Sequence, residues 1–272
     1  MTYIFGVSTT WGMKVSEAVV PDLLTESRDL DLPSFLVWAL HRFGPSEGVP
    51  TLAFATSLGL EDQLLLSYLD EVAAGPEPIH AFTLDTGRLN PETYDLMQTN
   101  RDRYRLPVVS YWPEAPAMEA LVAQGGPNLF YDSVENRKAC CGVRKVAPLT
   151  RALAGRSAWI TGLRRAQSVT RTDLHRVEWD AAHGLVKLNP LLEWTLDEVK
   201  AAVAARRVPV NALHAQGYPS LGCAPCTRAV QPGEDERAGR WWWESADKKE
   251  CGIHVSSDIP APKKTFAFGK AL

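Results

Sequence analysis

Five cysteines carry the most distinctive chemistry available to this chain, and by position they divide into four and one. Cys140 and Cys141 are adjacent in "ENRKACCGVRK", Cys223 and Cys226 form "CAPC", and Cys251 stands apart in "KKECGIHV". An odd number at low density in 272 residues argues against a secreted disulfide framework and for metal binding or thiol catalysis in a reducing compartment. A CxxC redox dithiol would open a thioredoxin-like helix, which the proline-bearing segment before Cys226 does not resemble. Four thiolates suit zinc or an iron–sulfur cluster. Successive side chains on a helix diverge by about 100°, so a vicinal pair shares a partner only if that partner is large, which favours a cluster over a zinc ion. Arg144 and Lys145 would offset the net negative charge of a thiolate-bound [4Fe-4S] core. Cys251 is of another kind. Lys248 and Lys249 precede it and His254 follows, surroundings that favour the thiolate and suit a nucleophile, although a lone cysteine is as often incidental.

Three further stretches suit anions. In "TSLGLED" a glycine-containing turn before a helix presents N–H groups and the positive end of the helix dipole, with Ser57, Gly59 and Asp62 on it. The GxxxxGK[ST] pattern is missing, so this is no ordinary P-loop. "TGLRRAQSVTR" crowds Arg164, Arg165 and Arg171 after a strand end; each alone reads as a solvated basic residue, and together they suit an oxyanion. "DERAGRWWWE" puts Arg237 and Arg240 three apart, on one face if the segment is helical, and its three tryptophans cannot all face one way.

The elements that must hold these residues alternate. "TLAFATS", "IHAFTLDTG", "LPVVSYW" and "SAWITGL" read as strands. Between and after them, "QLLLSYLDEV", "NPETYDLMQTNRDRY" with Asn90 as N-cap and Pro91 at the first position, "APAMEALVAQGG" closed by glycine, and "WTLDEVKAAVAARRV" with a Thr195–Glu198 capping box read as helices. The expectation is an α/β fold, a mostly parallel twisted sheet with flanking helices, its ligands beyond the carboxyl ends of the strands, where "TSLGLED", "LDTGR" and "TGLRRAQSVTR" fall. Residues 1–45 read as a helical lead-in, 46–235 as the α/β domain with the anion-binding and clustered-cysteine stretches (nucleotide- and cluster-binding by the resemblance described below), and 236–272 as a C-terminal segment carrying Cys251; the chain past about residue 215 is loop-rich.

A hydrophobic content of 45% supports a proper core, and a formal net charge of −3 gives no reason to expect nucleic acid or a membrane surface as partner. No run approaches the ~18 apolar residues of a membrane span and the first residues lack a signal-like pattern, so a cytoplasmic location is expected.

Taken together, "LDTGRLNPET", "KACCGVRKVAPL", "TGLRRAQSVTR", "KLNPL", "GYPSLGCAPCTRAV", "ERAGRWWWE" and "KKECGIHV" resemble the phosphoadenylyl-sulfate/adenylyl-sulfate reductase family over roughly residues 50–255, and within it the iron–sulfur branch of assimilatory adenylyl-sulfate reductases. The resemblance implies a PP-loop, adenine nucleotide alpha hydrolase-like fold. It also implies reduction of adenosine 5'-phosphosulfate (APS) to sulfite and AMP, with thioredoxin or glutaredoxin as reductant. Cys251 would form an S-sulfocysteine, and Cys140, Cys141, Cys223 and Cys226 would hold the [4Fe-4S] cluster. Ser57, Gly59, Asp62, Lys145, Arg164, Ser168, Arg171, Arg237 and Arg240 would face the substrate, supported by Arg144 and His254. The turn departs from the family's usual SFG or FSG form, and the SGGxDS of ATP-cleaving relatives is missing, in keeping with a reaction that does not split ATP. Alternatives are reduction of the 3'-phosphorylated substrate (PAPS), a tRNA-thiolating PP-loop sulfur transferase, and a zinc-stabilised interaction protein. A homo-oligomer is compatible with the sequence, which sets no oligomeric state.

Overall fold

The structure, a computed structural model, describes residues 15–45, 49–73, 78–167 and 174–245. Its centre is a six-stranded sheet built of β1 (Leu52–Thr56), β2 (His80–Leu84), β3 (Val108–Tyr111), β4 (Ala158–Ile160), β5 (Val177–Asp180) and β6 (Leu185–Leu188), in the order β3-β2-β1-β4-β6-β5. All neighbours run parallel except the edge strand β5, which is antiparallel to β6.

The central strands read as apolar runs because both of their faces are covered. Phe54, Ile160, Val186 and Leu188 join one core with α1 (Val20–Ser27), α2 (Leu32–Arg42), α3 (Leu60–Val72) and α8 (Leu196–Ala205). Their alternates Ala53, Phe82, Trp159 and Leu185 pack on the opposite face against Leu149, Ala152 and Leu153 of α7 (Ala147–Leu153). The helices expected before residue 46 are thus part of the main core, entered through a real cap: Asp31 accepts from the Ser34 amide at 2.9 Å, with Pro33 in the first turn of α2. The Thr195–Glu198 capping box is present in α8. At α4 (Pro91–Arg103), Asn90 stands at the N-cap position without making the side-chain bond expected of it. Instead α3 and α4 are tied by reciprocal amide bonds between Gln63 and Asn100, 2.9 Å each way.

The β5–β6 hairpin has no counterpart among the strands expected from sequence. Its pattern is masked by charge: Lys187 lies buried on β6 and is satisfied by Glu178 directly across the ladder at 2.8 Å, so a core position carries an ammonium group.

Between β3 and β4 the chain runs through α5 (Ala115–Gly125), closed as expected by a glycine, Gly126, at positive φ. It then forms a helical run of α6 (Val134–Cys141), a π-helical segment (Gly142–Val146) and α7. Pro148 explains the interruption. It has no N–H to offer residue 144, and its ring would press on that carbonyl in α geometry, so the preceding turn widens. Past residue 211 the described chain holds short 3-10 turns and one bridge, Thr227 with Arg240, draped over the carboxyl edge of the sheet. Among the described residues no helix is long and apolar enough to cross a membrane.

Candidate active site

A cleft opens at the carboxyl ends of β1, β2 and β4, the edge at which a parallel sheet offers its loops and helix N-termini. Its floor is apolar, from Phe82, Leu149 and Trp159. Its rim takes Ser57, Gly59 and Asp62 from the β1–α3 turn, Thr86 from the loop after β2, Lys145 from the π segment, Ser220–Gly222 from the late loop, and Arg237 and Arg240 from the C-terminal strap.

The β1–α3 turn is held from within. Ser57 donates to Asp62 Oδ2 through both its amide and its hydroxyl, each at 2.6 Å. Leu58 between them is left-handed, φ 62°, and gives its amide to Thr56 Oγ1. A non-glycine residue in that region is strained, a cost that functional turns commonly carry. Gly59 caps α3 without a side-chain bond, so the positive end of the helix is turned to the cleft with no capping group of its own. Asp62 is buried, and burial raises its carboxyl to about 6 against the pull of the Ser57 hydrogen bonds. It is also why position 162 is glycine: a Cβ there would lie 2.1 Å from Asp62 Oδ1. The carboxylate therefore joins the end of β4 to the β1 turn, and its contacts are internal.

The arginines after β4 behave differently from the anion cluster expected of them. Arg164 is buried, with Nε on Glu61 Oε1 at 2.6 Å and Nη2 on Glu236 Oε2 at 2.9 Å. It does not line the cleft, although Glu61, Glu236 and Gln167, which also donates to Glu61, all do. Arg165 pairs with Glu193 on the surface. Sequence could not foresee this, because the two carboxylates come from positions over 70 residues away on either side. Arg171 and Ser168 lie outside the described residues, as do Cys251 and His254. The strap that bears Arg237 and Arg240 is a succession of turns and not a helix, yet both side chains reach the cleft. Arg240 is buried, donating to the carbonyl of Leu221 and, at 3.4 Å, to Ser220 Oγ.

Beside the cleft are the four cysteines expected to act together. Cys140 and Cys141 end α6, Cys223 caps the short turn Ala224–Cys226, and all four are buried free thiols. Cys140, Cys223 and Cys226 share an apolar cluster with Leu121, Leu129, Phe130 and Trp241. Burial and the neighbouring Cys223 push the Cys226 thiol up to about 12, opposed by Lys145 and Arg240. Cys140 is raised by burial and opposed chiefly by Arg144. Uncompensated thiolates are thus disfavoured here, and the cations set against them include two that line the cleft. Cys223 donates to Thr86 Oγ1 at 3.2 Å, while Arg144 donates to the Thr86 carbonyl. Thr86 had no role in the sequence reading; its signal is the "DTG" turn, in which Gly87 (φ 69°) gives its amide to Asp85. Among the described residues no three Cys, His, Asp or Glu side chains are grouped as a single metal ion would need.

Comparison with known proteins shows the family and the fold. Residues 51–229 match the model of the phosphoadenosine phosphosulfate reductase domain. The adenosine 5'-phosphosulfate reductase of Burkholderia cepacia is 53% identical over 214 residues, covering 79% of this chain and 84% of that protein. That of Allochromatium vinosum is 54% identical over 210 residues, covering 77% and 81%. The crystal structure of the phosphoadenylyl-sulfate reductase of Candida auris, a phosphate complex, superposes with a TM-score of 0.65 at 27% identity, covering 80% of this chain and 99% of that one.

Proposed function

Because the chain belongs to the phosphoadenosine phosphosulfate reductase family, we propose that it reduces adenosine 5'-phosphosulfate to sulfite and AMP. The observation that carries this reading is a cationic cleft set beside buried thiols, two of its cations, Lys145 and Arg240, also acting on the Cys226 thiol. A substrate with a phosphate bonded to a sulfate is an anion at two adjacent centres. Lys145, Arg237 and Arg240 would screen them, with the positive end of α3 close by, and the apolar floor suits a nucleobase or the ribose face.

In the proposed reaction the Cys251 thiolate attacks the sulfur of the sulfate. An S–S bond forms as the bond from sulfur to the bridging oxygen breaks, and AMP leaves with that electron pair. A dithiol protein of the thioredoxin or glutaredoxin class then attacks the Cys251 sulfur and sulfite departs with the S–S electrons. The second thiol of the dithiol closes on the mixed disulfide and frees Cys251, so the two electrons come from the dithiol. Cationic residues are needed because a thiolate must approach an anion, and their charge lowers that repulsion from binding through to the departure of AMP.

The cysteines fit a [4Fe-4S] group: four free thiols in two pairs, all buried, with Arg144, Lys145 and Arg240 set against the negative charge that thiolates would bring. Cys140, Cys141, Cys223 and Cys226 would hold it. When bound, such a group supplies a fixed negative field beside the cleft cations. The dithiol already accounts for both electrons, so it need not change oxidation state.

The test is mass spectrometry of the protein mixed with APS in the absence of any dithiol. The expected product is one SO₃ added to the peptide carrying Cys251. Finding no adduct, or an adduct on one of the other four cysteines, would overturn the assignment, and faster turnover of the 3'-phosphorylated nucleotide would move the substrate to the alternative.

A further inference from the structure

Arg240 is the cleft cation most deeply embedded in protein, and what aims it is not in the cleft. Its guanidinium lies over the Trp241 ring, 4.8 Å from the centroid. On the same indole lies a second guanidinium, that of Arg137 from α6, at 4.7 Å. Two cations on one ring repel each other, and the arrangement holds because Arg137 Nε is paired at 2.6 Å with Glu244 Oε1, the two side chains being 1% and 5% exposed. Trp241 is itself 1% exposed, and its backbone is left-handed at φ 42°, a conformation that a bulky residue keeps only when its surroundings enforce it.

A Cβ at position 222 would lie 2.5 Å from Arg240 Nη2, so the glycine backbone lets the guanidinium pass. Nη1 meets the Leu221 carbonyl, and Nε is buried with no hydrogen-bond partner among the described residues. With Nε unengaged, the group is held by Nη1, on the Leu221 carbonyl and Ser220 Oγ, and by its contact with the Trp241 ring. That stack is anchored twice: the Trp241 amide donates to the Cys226 carbonyl at 3.1 Å, and Arg137 sits one turn before Cys140 and Cys141 on α6.

We propose that Arg137 and Glu244 are positioning residues for the cleft: their buried ion pair clamps Trp241, and Trp241 aims the Arg240 guanidinium at the bound anion. Neither residue lines the cleft. The clamp joins the helix that bears the cysteine pair to the strap that bears the cleft arginines, so both are held by one buried contact. The inference rests on the proposed reading of the cleft as a nucleotide anion site.

The experiment compares the natural holoenzyme with Glu244→Gln, which removes the charge and keeps the shape. Glu234→Gln is the control: it breaks a half-exposed pair with Arg228 on the same strap but away from the stack. Three quantities are read: AMP affinity by calorimetry, KM and kcat for sulfite release from APS, and hydrogen exchange of the 237–244 peptide without ligand. Arg240 would contact the phosphate in both ground and transition states, so Glu244→Gln should raise the AMP Kd and the KM about tenfold and change kcat much less. Exchange should quicken in that peptide. The control should leave Kd and KM within about twofold, as expected for an exposed pair. Unchanged AMP affinity with a lowered melting temperature would make Glu244 merely structural and overturn the proposal. Should Glu244→Gln not fold, Trp241→Phe replaces it; the smaller ring should still weaken AMP binding severalfold, and no change refutes the clamp. If the natural enzyme binds neither AMP nor APS, it is the proposed function that fails, and the exchange comparison still decides the clamp.

Discussion

The buried carboxyl of Asp62 makes a prediction that can be worked through from structure to assay. Its ordinary value of 3.8 is raised to about 6, chiefly by burial, and it accepts two bonds from Ser57 and lies against the Gly162 backbone. Between those two values the folded chain holds a proton that the unfolded chain has released. Stability from this group is therefore complete below about pH 3.8, falls as pH rises, and is gone above about 6. At about 1.4 kcal/mol for each pH unit, the interval amounts to about 3 kcal/mol. Asp62→Asn removes the titration while leaving an amide oxygen to accept from Ser57. Its amide nitrogen would face the Gly162 N–H, so the variant should be less stable at acid pH. The observable is therefore a difference: urea unfolding of both proteins from pH 4.5 to 7.5, with the stability gap between them shrinking steadily up to about pH 6 and constant beyond. A gap that stays level across that range would refute the argument that burial dominates at this carboxyl.

Other consequences are quicker to state. Arg164→Met strands Glu61 and Glu236, so unfolding free energy should drop by about 3–5 kcal/mol, whereas Arg165→Ala, which breaks a surface pair, should cost under about 1 kcal/mol; equal effects in a urea titration would contradict the placement of the two. Gly162→Ala forces a methyl onto Asp62 Oδ1 and should destabilise by about 1–3 kcal/mol while weakening nucleotide binding, read by thermal melting and AMP calorimetry. Cys226→Ser should lower the iron content of anaerobically prepared protein, while Cys251→Ser should keep the iron and abolish sulfite release; turnover surviving in Cys251→Ser would sink the nucleophile assignment.

Much of the frame could be read from residue order alone. Four parallel strands, the capping box at Thr195, the closing glycine after α5 and the placing of "TSLGLED" and "LDTGR" at the ligand edge rest on local rules of periodicity, capping and turn chemistry, and the structure agrees with each. That Cys140 would lie in one buried cluster with Cys223 and Cys226 was also legible, because chemistry that needs several thiols limits the choices when five exist. Less visible was the β5–β6 hairpin, since Lys187 breaks the apolar alternation and its neutralising Glu178 is known only once the strands are paired.

What sequence determined, then, is which residue types are present and which local elements they form, because those depend on neighbours a few positions away. Only the tertiary structure decided how the charges are spent. Arg164, Arg237 and Arg240 are alike as letters, yet Arg164 is consumed by Glu61 and Glu236 while the other two line the cleft. Arg137 and Glu244, over 100 residues apart, become one buried pair. A charge on a chain has no assigned partner until folding removes it from water. The cost of burying it unpaired then selects, from distant positions, the carboxylate, ring or thiol that it must meet.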